Sequence, residues 1–138
     1  MKKKQLTKNF NISEFRCKDG TDVPDNLEAN VQKLAEQLQI IRDRLALEVG
    51  REIQIKITSA YRTQSHNTKI GGAKNSFHMK AMASDIYVES EFMQHLFILI
   101  NELIDTNEII AGGITYYKNR KFPFIHYDIQ GRKRTWKT

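Results

Sequence analysis

Leu27, Val31, Leu34, Leu38, Ile41 and Leu45 recur at spacings of four and three, with mostly polar residues between them. That rhythm is one apolar face of a helix. Its predicted start is Asp25, just after Pro24, with Glu28 three residues on as a capping-box partner, and it ends near Gly50. Ile53, Ile55 and Ile57 then alternate with Gln54, Lys56 and Thr58, the period of a half-buried strand. Residues 59–76 are polar and carry Gly71-Gly72, which predicts a long loop with a short helix after Thr63. A second strand is expected over Ala83 to Val88. Ser90 is placed to cap a second long helix that buries Phe92, Leu96, Leu99, Ile100 and Leu103. Gly112 to Tyr117 and Phe124 to Ile129 read as two strands around the basic turn Lys118-Asn119-Arg120-Lys121. The sum predicts an α+β fold, a small, mainly antiparallel sheet with flanking helices. No repeat, linker or low-complexity block divides residues 1–138, so they are expected to form one domain.

Composition narrows the class. The chain has 138 residues, 40% hydrophobic and 28% charged, ordinary values for a globular protein able to bury a core. Its most apolar run, Leu96 to Ile100, is far short of the ~20 residues a membrane span needs, so membrane insertion is not expected. Cys17 is alone, which excludes an internal disulfide and a thiolate zinc cluster; it is expected to be a plain half-buried residue. Met1-Lys2-Lys3-Lys4 is followed by Gln5-Leu6-Thr7-Lys8-Asn9 rather than an apolar run, so no secretory signal is expected. Work outside the cytoplasm then requires release by other means.

The formal charge of +6 favours anionic partners. Apart from Lys2-Lys3-Lys4 and Arg132-Lys133-Arg134, the basic residues are scattered, and both terminal clusters are expected to be solvated. No zinc-finger spacing, RNA-binding aromatic motif or basic zipper is present, so nucleic acid is not the expected partner. An anionic cell-wall polymer or a membrane surface would be attracted equally well. A monomer is expected.

The chemistry concentrates in a few side chains. His78 and Asp85 stand seven apart, Asp85 on the second strand, while His126 and Asp128 stand two apart on the last strand and so share a face. A catalytic zinc site takes three N/O ligands and leaves one position open for water. His78, Asp85 and His126 supply such a set, which leaves Asp128 beside the water. Zinc lowers the pKa of its water to about 7, and a nearby carboxylate can take that proton and pass it to a leaving amine. A developing oxyanion needs positive charge beyond the metal, and Arg62, just after the first strand, is placed to give it.

Ser59-Ala60-Tyr61-Arg62, Gly71-Gly72, Ser76-Phe77-His78, Ala83-Ser84-Asp85 and His126-Tyr127-Asp128, in that order, resemble the zinc D-alanyl-D-alanine carboxypeptidase family. The resemblance is to its short phage and bacterial branch, whose opening segment is similar to Asn11-Ile12-Ser13-Glu14-Phe15. It implies the hedgehog/DD-peptidase fold, a zinc cofactor and cleavage of D-amino-acid-containing peptide bonds in peptidoglycan stem peptides. By the same resemblance His78, Asp85 and His126 are the zinc ligands, Arg62 stabilises the substrate carbonyl, and Ser76 lies near the substrate. Two positions depart from the pattern. Ala81 stands where many relatives have glycine, and Pro123 stands where many have a catalytic glutamate, which leaves Asp128 as the expected base.

The sequence therefore favours a zinc-dependent D,D-carboxypeptidase or endolysin-type endopeptidase. The rival is a non-catalytic peptidoglycan-binding module with a structural metal site. His66 is expected exposed or at the cleft rim, and His95 on the wet side of its helix. Tyr116, Tyr117 and Trp136 are read first as packing residues, with a place in the cleft wall as the second option.

Overall fold

The computed structural model describes residues 1–138. Helix α1 spans Glu28–Val49 and ends on Gly50, whose φ of 90° lets its N–H close on the Ala46 carbonyl. The predicted face is buried at Val31, Leu34, Leu38, Ile41 and Leu45, with Leu27 half-buried at its edge.

The expected capping box at the start of α1 does not form. Asp25 opens a short 3-10 turn, Asp25–Leu27, and no side chain caps the helix. The reason is an ion pair: the Lys2 ammonium lies 2.5 Å from Asp25 and 2.8 Å from Glu28, so both carboxylates face a cation instead of backbone N–H groups. A capping box forms upstream instead. The Glu14 carboxylate accepts the Asn11 N–H at 2.7 Å while Asn11 Oδ1 accepts from Ser13. This heads the turn Ile12–Phe15, whose Phe15 carbonyl accepts the Tyr61 N–H at 3.0 Å beside the future site.

Four strands form one sheet: β1 (Lys56–Ser59), β2 (Ala83–Tyr87), β3 (Ile114–Tyr117) and β4 (Phe124–Asp128). Their order is β1-β2-β4-β3, and every neighbouring pair is antiparallel. This is the small antiparallel sheet with helices that the pattern predicts. Ile53 and Ile55 are buried as the alternation requires, yet they precede β1. A strand needs a partner, and β2 pairs Tyr87 with Lys56 and goes no further.

Helix α2 (Gln64–Lys69) follows Thr63, whose hydroxyl accepts the His66 N–H. Helix α3 (Met93–Asp105) follows a 3-10 turn over Ser90–Phe92, without the expected serine cap. It buries Leu96, Leu99, Ile100 and Leu103. No helix is long and apolar enough to cross a membrane. Cys17 is free, as expected, and fully rather than half-buried.

Alternation along β2 and β4 separates two faces. Ile86, Ile125, Tyr127 and Ile129 join α1 and α3 in the hydrophobic core. Asp85, His126 and Asp128 take the opposite face, and Asp85 sits directly across from His126 in the ladder. The core thereby holds rigid the strands that carry the polar site.

Candidate metal centre

A short 3-10 turn, Phe77–Lys80, carries His78 to the edge of that polar face. Ser76 caps it, its hydroxyl accepting the His78 N–H at 3.2 Å. The Arg62 N–H in turn bonds the His78 carbonyl at 3.0 Å, which ties the turn to the chain leaving β1. The turn ends at Ala81 with φ of 55°, so the position where the resemblance calls for glycine does adopt a left-handed backbone.

Ligand atoms of His78, Asp85 and His126 all lie within 4.8 Å of one another, and the residues are buried or nearly so. Hydrogen bonds elsewhere fix which nitrogens face inward. His78 Nδ1 lies 2.7 Å from the Ala60 carbonyl, an acceptor, so it carries the proton and leaves Nε2 bare. Nε2 points to Asp85 Oδ1 at 3.3 Å. His126 Nε2 donates to Asp128 Oδ2 at 2.8 Å, and its Nδ1 faces the same Asp85 oxygen at 3.1 Å. Two imidazole lone pairs and a carboxylate oxygen thus converge with no donor among them. Such a cluster repels itself unless a cation occupies its centre.

The electrostatics agree. Burial opposes charge on Asp85, yet the two imidazoles that face it hold its carboxyl well below the usual carboxylate range. Burial likewise opposes protonation of His126, but Asp128 and Asp85 outweigh it and raise its pKa. The pocket favours positive charge at its middle.

Around this centre lies a cleft of about 570 Å³. Arg62 lines it and is braced by three bonds: Nε to Ser59 Oγ at 3.2 Å, Nη1 to Asn67 Oδ1 at 3.2 Å and Nη2 to Asp85 Oδ2 at 3.3 Å. Three of its five N–H groups are used, and two remain for a ligand. Asn67 also binds the Ala73 carbonyl, and a Cβ on Gly72 would collide with its Oδ1. Gly72 is therefore needed for close approach of the loop to α2, while Gly71 supplies a positive φ of 73°.

Asp128 does not have the setting expected of a base. Its side chain is fully buried, and each oxygen meets two donors. Oδ1 accepts the N–H groups of Gly113 at 2.9 Å and Gln130 at 3.3 Å; Oδ2 accepts from His126 and, at 2.6 Å, from Arg134 Nη2. Burial acts against its charge, but these partners keep its pKa below the ordinary value. No lone pair is left for a water, so the geometry replaces the expected proton acceptor with a carboxylate that holds His126.

The predicted residues His78, Asp85, His126, Arg62, Ser76 and Asp128 all come together at the cleft. Tyr117 and Trp136 line it as well, whereas Tyr116 turns away to pack on Phe97. His66 is half-buried on α2, and His95 bonds Glu48 at 2.6 Å across α1 and α3. Arg134, which lines the cleft, and Asn67, which braces Arg62 from behind it, are not foreseen from the sequence. The only sequence trace of Asn67 is its place in a polar loop beside the glycine pair. Arg134 is hidden among neighbouring tail cations that are exposed.

A family model described as Peptidase M15 matches residues 5–128, which includes every residue of the ligand set. No curated protein matches the chain.

Proposed function

The chain belongs to the peptidase M15 family of zinc D-alanyl-D-alanine carboxypeptidases, and on that premise we propose that it hydrolyses D-amino-acid-containing peptide bonds in bacterial peptidoglycan. One observation carries the reading. His78 Nε2, Asp85 Oδ1 and His126 Nδ1 present three lone pairs to a common centre, and each imidazole donates its ring N–H to an acceptor behind it. Two nitrogens and one carboxylate oxygen are the donor set of an open zinc site, so the residues present fit the metal. Bound there, zinc supplies Lewis acidity, lowering the pKa of a ligated water to about 7 and polarising a carbonyl.

The protein's own residues provide the rest. The Ala60 carbonyl and the Asp128 carboxylate lock the two imidazoles in the required tautomers, acting behind the ligands as outer-shell acceptors. Arg62 balances the outer oxygen of Asp85 and offers its two free N–H groups to a substrate carbonyl and to the charge that builds on it. Ser76 shapes the turn that delivers His78 and borders the cleft. Tyr117, Phe124 and Trp136 form an aromatic side against which a peptide stem can lie. The cationic chain suits an anionic wall polymer as partner.

The test is product analysis on defined muropeptides and purified peptidoglycan, with and without chelator. The expected result is release of a D-amino acid or a new free amine at a cross-link, abolished by chelator and restored by zinc. Binding without new amines would identify a recognition module instead, and turnover that survives chelation would refute the metal assignment.

A further inference from the structure

The residues that brace Asp128 continue into a segment beyond the stretch matched to the family. After β4 the chain turns back along the start of β3. The Gly131 N–H bonds the Ala111 carbonyl at 2.8 Å, the Arg134 N–H the Gly112 carbonyl at 3.1 Å, and the Ile114 N–H the Arg134 carbonyl at 2.9 Å. Arg134 pairs with Gly113 as a parallel bridge. Main-chain bonds on both sides therefore set where the Arg134 side chain goes.

It goes to the metal centre. The guanidinium carbon lies 5.2 Å from the ring centre of Phe77 and 5.5 Å from that of Trp136, between two aromatic side chains. Trp136 is itself fixed, donating its Nε1–H to the Tyr117 hydroxyl at 2.7 Å and meeting the His126 ring edge-on at 5.1 Å. From this position Arg134 Nη2 holds Asp128 Oδ2 at 2.6 Å, the same oxygen that accepts from His126. Arg134 Nε is buried with no partner. A solvated surface arginine avoids that desolvation cost, so the side chain is kept here against it.

We propose that Arg134 is a positioning residue of the metal centre. Through Asp128 it fixes the His126 ring with Nδ1 facing Asp85 and His78, so residues 131–136 belong to the site although they lie outside the family match. The inference rests on the zinc reading above. A lysine could keep the charge beside Asp128 but not the flat fork that fits between Phe77 and Trp136 while meeting a carboxylate.

Arg134→Gln and Arg134→Lys, compared with the wild type, test this by three measurements. These are zinc release to a chromogenic chelator, the visible spectrum of the cobalt(II)-loaded protein, and kcat/KM on a stem peptide. Arg134→Gln is expected to release zinc at least about tenfold faster, to shift the cobalt bands and to lose kcat/KM by a comparable factor, with Arg134→Lys between it and the wild type. A merely structural arginine would lower the thermal stability of the metal-free variant and leave release rate and bands at wild-type values; that outcome overturns the proposal. If Arg134→Gln does not fold, Arg134→Lys decides by the same two readouts. Failure of the wild type to take up zinc or cobalt overturns the metal reading itself. Normal metal binding by all three proteins overturns only the role of Arg134.

Discussion

Asp128 shows how much one side chain's surroundings decide its chemistry. A carboxylate two residues from a candidate metal ligand invites assignment as a base, yet four donors surround it and Arg134 balances its charge. Its two nearest constraints are glycines. A Cβ on Gly112 would strike the Asp128 backbone carbonyl, and one on Gly113 would come within 2.6 Å of Asp128 Oδ2 and 2.8 Å of Arg134 Nη2. Both positions press on the Asp128 carboxylate, a Cβ on Gly112 lying 2.5 Å from Oδ1, but only Gly112 also meets backbone. Gly112→Ala forces backbone apart and should lower unfolding free energy by about 2–3 kcal/mol, read by denaturant titration. Gly113→Ala displaces side chains and should loosen zinc binding about tenfold with a smaller loss of stability, read by chelator competition. A stability loss in Gly113→Ala as large as that in Gly112→Ala would contradict this ranking. At this scale the sequence was legible where unusual residue types stood on strands, as with Asp85 and His126. It was not legible for Asn67 and Arg134, whose roles depend on partners brought in by folding.

At the scale of elements, the 3.6-residue rhythm of α1 survived intact because its apolar face meets α3 and the sheet directly. Leu38 lies on that face, wholly buried, and does not line the cleft. Leu38→Ala should cost about 2–5 kcal/mol of stability while metal content stays at the wild-type value. A loss of zinc in the folded variant would show that the two faces of the sheet are not independent. The exposed His95–Glu48 contact has no comparable weight, and His95→Ala should change stability by less than about 1 kcal/mol. Element boundaries were less legible than elements. Ile53 and Ile55 alternate as strand residues do, but no strand lies beside them to pair with. Asp25 and Glu28 spell a capping box, but Lys2, twenty-three residues earlier, takes both carboxylates. Local patterns predict local bonds, and a partner distant in sequence can outbid them.

Over the whole molecule, the sheet divides the work: α1, α3 and the core on one face, the candidate ligand set and cleft on the other. The fold class was readable because the order of helix, strand and hairpin patterns leaves few ways to bury each apolar face. The closing segment was not, since its return along β3 is written in main-chain hydrogen bonds that no side-chain pattern announces. The net charge of +6 acts at this scale as well. Retention on purified anionic wall polymer should fall steeply as salt rises from about 0.05 to 0.5 M, because exposed charges are screened beyond a Debye length of a few ångströms to roughly 10 Å. Salt-independent retention would assign recognition to the cleft alone.

The central claim is that three acceptor atoms from a turn and two strands enclose one divalent cation. Elemental analysis of purified protein, alongside His78→Ala and Asp85→Ala, tests it most directly. One zinc per wild-type chain is expected, with loss of that zinc in both variants. A wild-type protein that takes up no zinc, or variants that keep it in full, would contradict it.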